Sequence, residues 1–137
     1  MADYSKFNEI AVGDRFPEIP LQFDVTESRV RDFLDATGNT DPAYGPKSGR
    51  APSMLAAVYL VDLLKARNSP PGGIHAKQSM RFSRALRVGE RLTLSAEVVE
   101  KYVRRDRPYV VSGFTAADES GAVVASGTIT SIWGRDE

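Results

Sequence analysis

Apolar positions along the chain follow two periods, and the change from one to the other divides it. Val30, Phe33, Leu34 and Thr37 share one face at helical spacing, with Arg29, Arg31, Asp32 and Asp35 on the wetter side. Thr26 is a good N-cap, because its hydroxyl can accept from a free amide of the first turn. Val25 and Val30 occupy the two positions of a hydrophobic staple, and Gly38 is the natural stop. Before this helix, "VGDRFPEIPLQFDV" carries two prolines and reads as an extended segment with a short strand around Leu21–Val25. After it, residues 39–51 form a loop rich in Gly, Pro, Asp and Ser. Pro52 fits the first position of a second helix. "SMLAAVYLVDLLKAR" is apolar on nearly every side until Lys65, the pattern of a helix wrapped by other structure. "NSPPGG" ends it.

Beyond that point the period shortens to two. In "IHAKQSMRFS", Ile74, Ala76, Met80 and Phe82 alternate with His75, Lys77, Ser79 and Arg81, one face in and one face wet. "RLTLSAEVVEKYV" alternates through Leu92, Leu94, Ala96 and Val98, and its parity shifts at Val99, which predicts a bulge or bend. "PYVVSGFTAA" and "AVVASGTITSIW" are two further strands, joined by the turn "DESG". The order predicts a short strand, a helix, a buried helix and a four-strand antiparallel meander. A sheet curling around the second helix is the simplest way to bury its apolar surface.

The totals narrow the choice of function. The length of 137 residues favours a single domain over residues 1–137. A net charge of +0 gives no global attraction to nucleic acid or to an anionic membrane. The absence of cysteine excludes disulfides, thiolate-held metals and a thiol nucleophile. The sequence calls for no metal and no cofactor. The N-terminus lacks an apolar core of the signal-peptide kind, and no apolar run is long enough to span a bilayer, so a cytoplasmic location is expected.

Three stretches together resemble a known family. "VTESRVRDFLDATGNTDPAY", "APSMLAAVYLVDLL" and "SMRFSRALRVGERL" are similar to the first helix with its active-site loop, the central helix, and the strand–turn–strand of MaoC-like hot-dog proteins. This group contains acyl-thioester hydratases and dehydratases, and the resemblance covers almost the whole chain. It implies an α+β hot-dog fold, a curved antiparallel sheet around a central buried helix. It also implies an acyl-CoA or acyl-carrier-protein thioester as ligand, and a homodimer or a heterodimer with a second hot-dog subunit. Catalytic members carry Gly-Asp-x-Asn-Pro, an aliphatic residue and His in the loop. Here the frame reads Gly38, Asn39, Thr40, Asp41, Pro42, Ala43, Tyr44. The family's Asp falls on Asn39 and its His on Tyr44, which resembles the Tyr-bearing, non-catalytic half of such systems. The acyl-binding positions implied by the resemblance are Ala51, Ser53 and Met54.

The residues themselves leave alternatives open. Hydration needs a base for water and an acid for the carbon alpha to the carbonyl. Asn39 is no base, and Tyr44, with a reference pKa of about 10, is mainly a donor. Asp41 is the loop's sole carboxylate; it either moves a proton or serves the turn that Asp-Pro commonly initiates. The start of the second helix, near Ser53 and Met54, either polarises a thioester carbonyl through its free amides or is merely capped by Ser53. His75 reads as a surface histidine. Asp62 is either a thioesterase carboxylate or an outward-facing edge residue. The basic stretch "KYVRRDRPY" either meets phosphates or an acidic carrier protein, or is a solvated hairpin tip. Three functions follow: a divergent hydratase/dehydratase or its substrate-binding subunit, a thioesterase using Asp62, and a non-enzymatic acyl-binding or assembly protein.

Overall fold

The structure, a computed structural model, describes residues 4–134. A 3-10 turn at Phe7–Glu9 leads to β1 (Arg15–Asp24), followed by α1 (Glu27–Thr37), β2 (Arg50–Ala51) and α2 (Met54–Asp62). A second 3-10 turn, Leu63–Arg67, extends α2 before β3 (Ile74–Phe82), β4 (Leu86–Arg87), β5 (Arg91–Arg104), β6 (Arg107–Ala117) and β7 (Val123–Ile132). The five long strands form one antiparallel sheet in the order β1-β5-β6-β7-β3, and β2 pairs with β4 in a small second sheet. This is the hot-dog arrangement, with α2 against one face of the sheet.

Local signals place α1 as expected. Thr26 Oγ1 accepts from the Arg29 amide at 3.2 Å, and Gly38 closes the helix in the left-handed region at φ 67°. Val25 and Val30 are completely buried. In β6, Val110, Ser112, Phe114 and Ala116 are buried and alternate with half-exposed residues, so one face of the sheet meets Leu55, Ala56 and Leu60 of α2. Each such leucine or phenylalanine contributes roughly 1.5–3 kcal/mol by leaving water. The bulge expected at Val99 is present, as a register break between Val98 and Glu100.

Four expectations need correction. The first strand is longer than Leu21–Val25: β1 runs through Pro17 and Pro20, with its register broken between Phe16 and Leu21. An edge strand tolerates proline because one row of its amides has no ladder partner to lose. The last four strands are not a simple meander, because β3 pairs with β7 rather than β5. Residues 83–90 contain β4, which pairs with β2, so β3 and β5 are not closed into a hairpin. α2 is not buried all round. Met54 and Val58 are 53% and 47% exposed and form an outward stripe with Asp62. Finally, the inward face expected for Ile74 and Ala76 is exposed in this chain, and only Met80 and Phe82 pack against the core.

One ionic cluster ties turns at the same end of the sheet. Arg84 forks onto Glu90 at 2.7 and 2.9 Å and reaches Asp118 at 3.2 Å. Glu90 also accepts the Arg87 amide. Burial pushes the Glu90 carboxyl up, but hydrogen bonds from Arg84 and Arg87 outweigh it and hold it below the usual range. Asp118 is lowered to about 2, chiefly by Ser120, against partial desolvation and with help from Arg84. A carboxylate with a depressed folded pKa contributes stability above its unfolded value and loses it as pH falls. The Asp118 contribution is therefore complete above about pH 4 and disappears towards about pH 2. Asp118→Asn should flatten the fall in melting temperature across that window while lowering stability at pH 7; an unchanged acid slope would contradict this account.

Candidate functional site

The loop after α1 is built by its own side chains. The Asn39 amide returns to Leu34 O at 2.9 Å, which closes the helix end. Asn39 Oδ1 accepts from the Asp41 amide, and Asp41 Oδ1 accepts from the Ala43 amide, both at 2.9 Å. The Tyr44 amide then bonds Asp41 O at 3.1 Å, and the Gly45 amide bonds Arg50 O at 2.8 Å. These are successive side-chain-to-backbone turns of the kind that Asn and Asp favour. Asn39 and Tyr44 are half-buried, whereas Asp41 is exposed. The turn role of Asp41 is thus filled in the structure.

The bridge between Gly45 and Arg50 carries this loop directly to the start of α2. Ala51 is fully buried, main chain included, in the β2–β4 pair. Ser53 does not cap the helix; its Oγ donates to Arg84 O at 2.8 Å and fastens the helix start to the turn after β3. The Leu55 and Ala56 amides bond Pro52 O and Ser53 O at 3.1 and 3.0 Å, and the helix dipole favours negative charge at this end. Met54 stands exposed beside them. The fold thus brings Asn39, Asp41 and Tyr44 onto one short loop linked to Ala51, Ser53 and Met54.

The other residues singled out from the sequence lie elsewhere. Asp62 is outward on α2 and sits 3.5 Å from Lys65, an exposed i,i+3 pair. His75 is exposed, as expected, but does not share the face of Lys77, Ser79 and Arg81. A register break between His75 and Lys77 sets His75 opposite Ser131, and directly opposed residues share a face. The basic stretch divides. Lys101 turns inward, donating to Phe7 O at 2.9 Å and Ile10 O at 2.7 Å above the Phe7 ring, and so pins the N-terminal segment. Arg104, Arg105 and Arg107 are exposed at the hairpin tip. Sequence reasoning missed Arg67, a lone arginine ending an apolar run, whose burial only the fold reveals.

A helix against an antiparallel sheet, with a short loop feeding its N-terminus, defines the hot-dog fold. The family model described as "FAS1-like, dehydratase domain region" matches residues 11–126, so the chain belongs to this MaoC-like hot-dog dehydratase family. Among curated proteins no sequence matches it significantly. Solved structures share the fold at low identity. The (R)-hydratase PhaJ1 from Pseudomonas aeruginosa is 20% identical, with a TM-score of 0.77 over 95% of this chain and 86% of the other. A MaoC-like dehydratase from Rhodospirillum rubrum is 20% identical, with a TM-score of 0.70 over 95% and 97%. The HadBC (3R-hydroxyacyl-ACP dehydratase) complex from Mycobacterium tuberculosis contains a chain 19% identical, with a TM-score of 0.71 over 90% and 96%.

Proposed function

We propose that this chain binds acyl thioesters, of coenzyme A or of an acyl carrier protein, as the substrate-binding member of a hydratase/dehydratase. One observation carries the reading. The loop in the catalytic position spends its one carboxylate on its own turn, since Asp41 Oδ1 accepts from the Ala43 amide at 2.9 Å. The remaining polar groups, Asn39 and Tyr44, supply no base at neutral pH. A carbonyl placed at the start of α2 would be polarised by the helix dipole, which needs no particular side chain.

The sheet edges support assembly with a second hot-dog subunit, either another copy or a catalytic partner. β1 carries Pro17 and Pro20 and a register break, all of which blunt an edge. β3 carries no proline, is largely exposed, and lies on the open side of the sheet. Ile74, Met54 and Val58 add exposed apolar surface. A thioesterase reading centred on Asp62 draws no support from a carboxylate engaged with Lys65.

The test combines turnover, thiol release and binding. The purified chain should be stabilised by acyl-CoA, release no thiol, and hydrate short and medium enoyl-CoA poorly; its scattering mass should exceed one chain. Robust hydration abolished by Asp41→Ala would make this a rearranged active site. Robust hydration insensitive to Asp41→Ala and Tyr44→Phe would put the chemistry elsewhere.

A further inference from the structure

Arg67 places a half-buried charge against the core. It ends the 3-10 turn after α2 and lies over the helix-facing side of the sheet. Its Nη1 donates to Ser112 Oγ at 3.0 Å and its Nη2 to Ser131 Oγ at 3.2 Å. The Nε atom is buried without an acceptor. Among the described residues no carboxylate pairs with it. Burial alone pushes its pKa down to about 10. The rings of Trp133 and Phe16, at 5.2 and 5.9 Å from the guanidinium carbon, offset part of the cost. A buried charge without a counter-charge is otherwise strongly unfavourable.

Two cavities flank the side chain, and their walls differ in sign. The one of about 510 Å³ carries Glu9, Asp14 and Glu18, which disfavour an anion. Among the described residues the one of about 390 Å³ has no carboxylate on its wall; Lys65, Arg67, Ser69, His75, Ser131 and Trp133 contribute to it. The strand register puts His75 opposite Ser131, on the side that Arg67 occupies. Ser131 accepts from Arg67, so its own hydroxyl proton is not used in that bond.

We propose that this second cavity binds a phosphate-class oxyanion, held by Arg67, Ser131 and His75. A guanidinium with its remaining Nη protons, a hydroxyl and an imidazole come together from different elements. That suits a tetrahedral dianion better than a planar carboxylate. The site stands independently of the reading of the loop, and it takes either free phosphate or the phosphate monoester of a thioester carrier.

Trp133 is the only tryptophan and His75 the only histidine, so each reports the site without labelling. Inorganic phosphate, added to the full chain at constant ionic strength, should change Trp133 emission saturably and move the His75 ring resonances. The expected midpoint is about 1 mM or tighter. Arg67→Lys and His75→Gln should each weaken binding about tenfold or more. Because His75 is exposed, His75→Gln carries the test if the Arg67 variant fails to fold. A tighter midpoint for coenzyme A than for dephospho-coenzyme A would support the site as a holder of the carrier's 3′-phosphate. Equal midpoints with phosphate still binding would support free phosphate. No saturable change by about 50 mM phosphate, an equal response to chloride or acetate, or no effect of His75→Gln on phosphate affinity would overturn the proposal.

Discussion

Replacing Asn39 with Asp and Tyr44 with His together should raise enoyl-thioester hydration by ~10²–10⁴-fold, the typical contribution of general acid–base catalysis. The loop is suited to the exchange. Asn39 holds its turn through Oδ1, which accepts the Asp41 amide at 2.9 Å, and an aspartate retains that acceptor. Tyr44 is anchored through its own amide and the neighbouring Gly45 bridge, neither of which depends on the phenol. Both side chains are half-buried, so the introduced pair enters a partly desolvated setting. Asn39→Asp or Tyr44→His alone should gain far less, because residues that act as a unit are grossly non-additive. The measurement is steady-state hydration of a crotonyl-type enoyl-CoA by the parent, both single variants and the double variant, beside acyl-CoA binding for each. A double variant that binds ligand as the parent does and shows no gain would mean that this loop does not face the thioester.

Gly127→Ala should destabilise the protein by roughly 2–3 kcal/mol, a fall in melting temperature of about 10 °C. Gly127 lies in β7 between Met80 of β3 and Phe114 of β6. A Cβ there would run into Ser79 O and Met80 Sδ, and would stand 3.0 Å from Met80 Cα. The Ser79 carbonyl is backbone, so relief requires β3 to move away from β7. Gly113→Ala is the matched control. Its Cβ meets the Val99 Cγ1 at 3.0 Å and Glu97 O at 4.0 Å, a contact that a side-chain adjustment can relieve. That change should cost under about 1 kcal/mol. If the open edge of β3 is where a second subunit adds, Gly127→Ala should also weaken association. Equal melting temperatures for the two variants would show that β3 is held less tightly than the packing at Gly127 indicates.

What the sequence determined by itself is what neighbouring residues decide between them. Thr26, Gly38 and the Val25–Val30 staple place α1, because a cap and its amide lie within one turn of chain. The double turn at Asn39 and Asp41 is equally local. The break at Val99 shows as a change of parity within a single strand. The loop's resemblance to the family frame is likewise read from consecutive residues, Gly38 to Tyr44. Tertiary structure alone decided the rest. β3 joins β7 because β4 engages β2, a choice that compares partners distant in sequence. The shift after His75 turns that side chain to the face of Ser131, and alternation read along one strand cannot detect a register set by another. Pro17 and Pro20 lie inside β1 because the strand is at an edge, a position that exists only once the sheet is assembled. Arg67 reads in sequence as an ordinary helix-ending cation. Its burial arises when β6 and β7 bring Ser112 and Ser131 beneath it and Phe16 and Trp133 around it. Local order follows from short-range hydrogen bonding and steric preference, whereas the environment of a charge depends on every surface that closes over it.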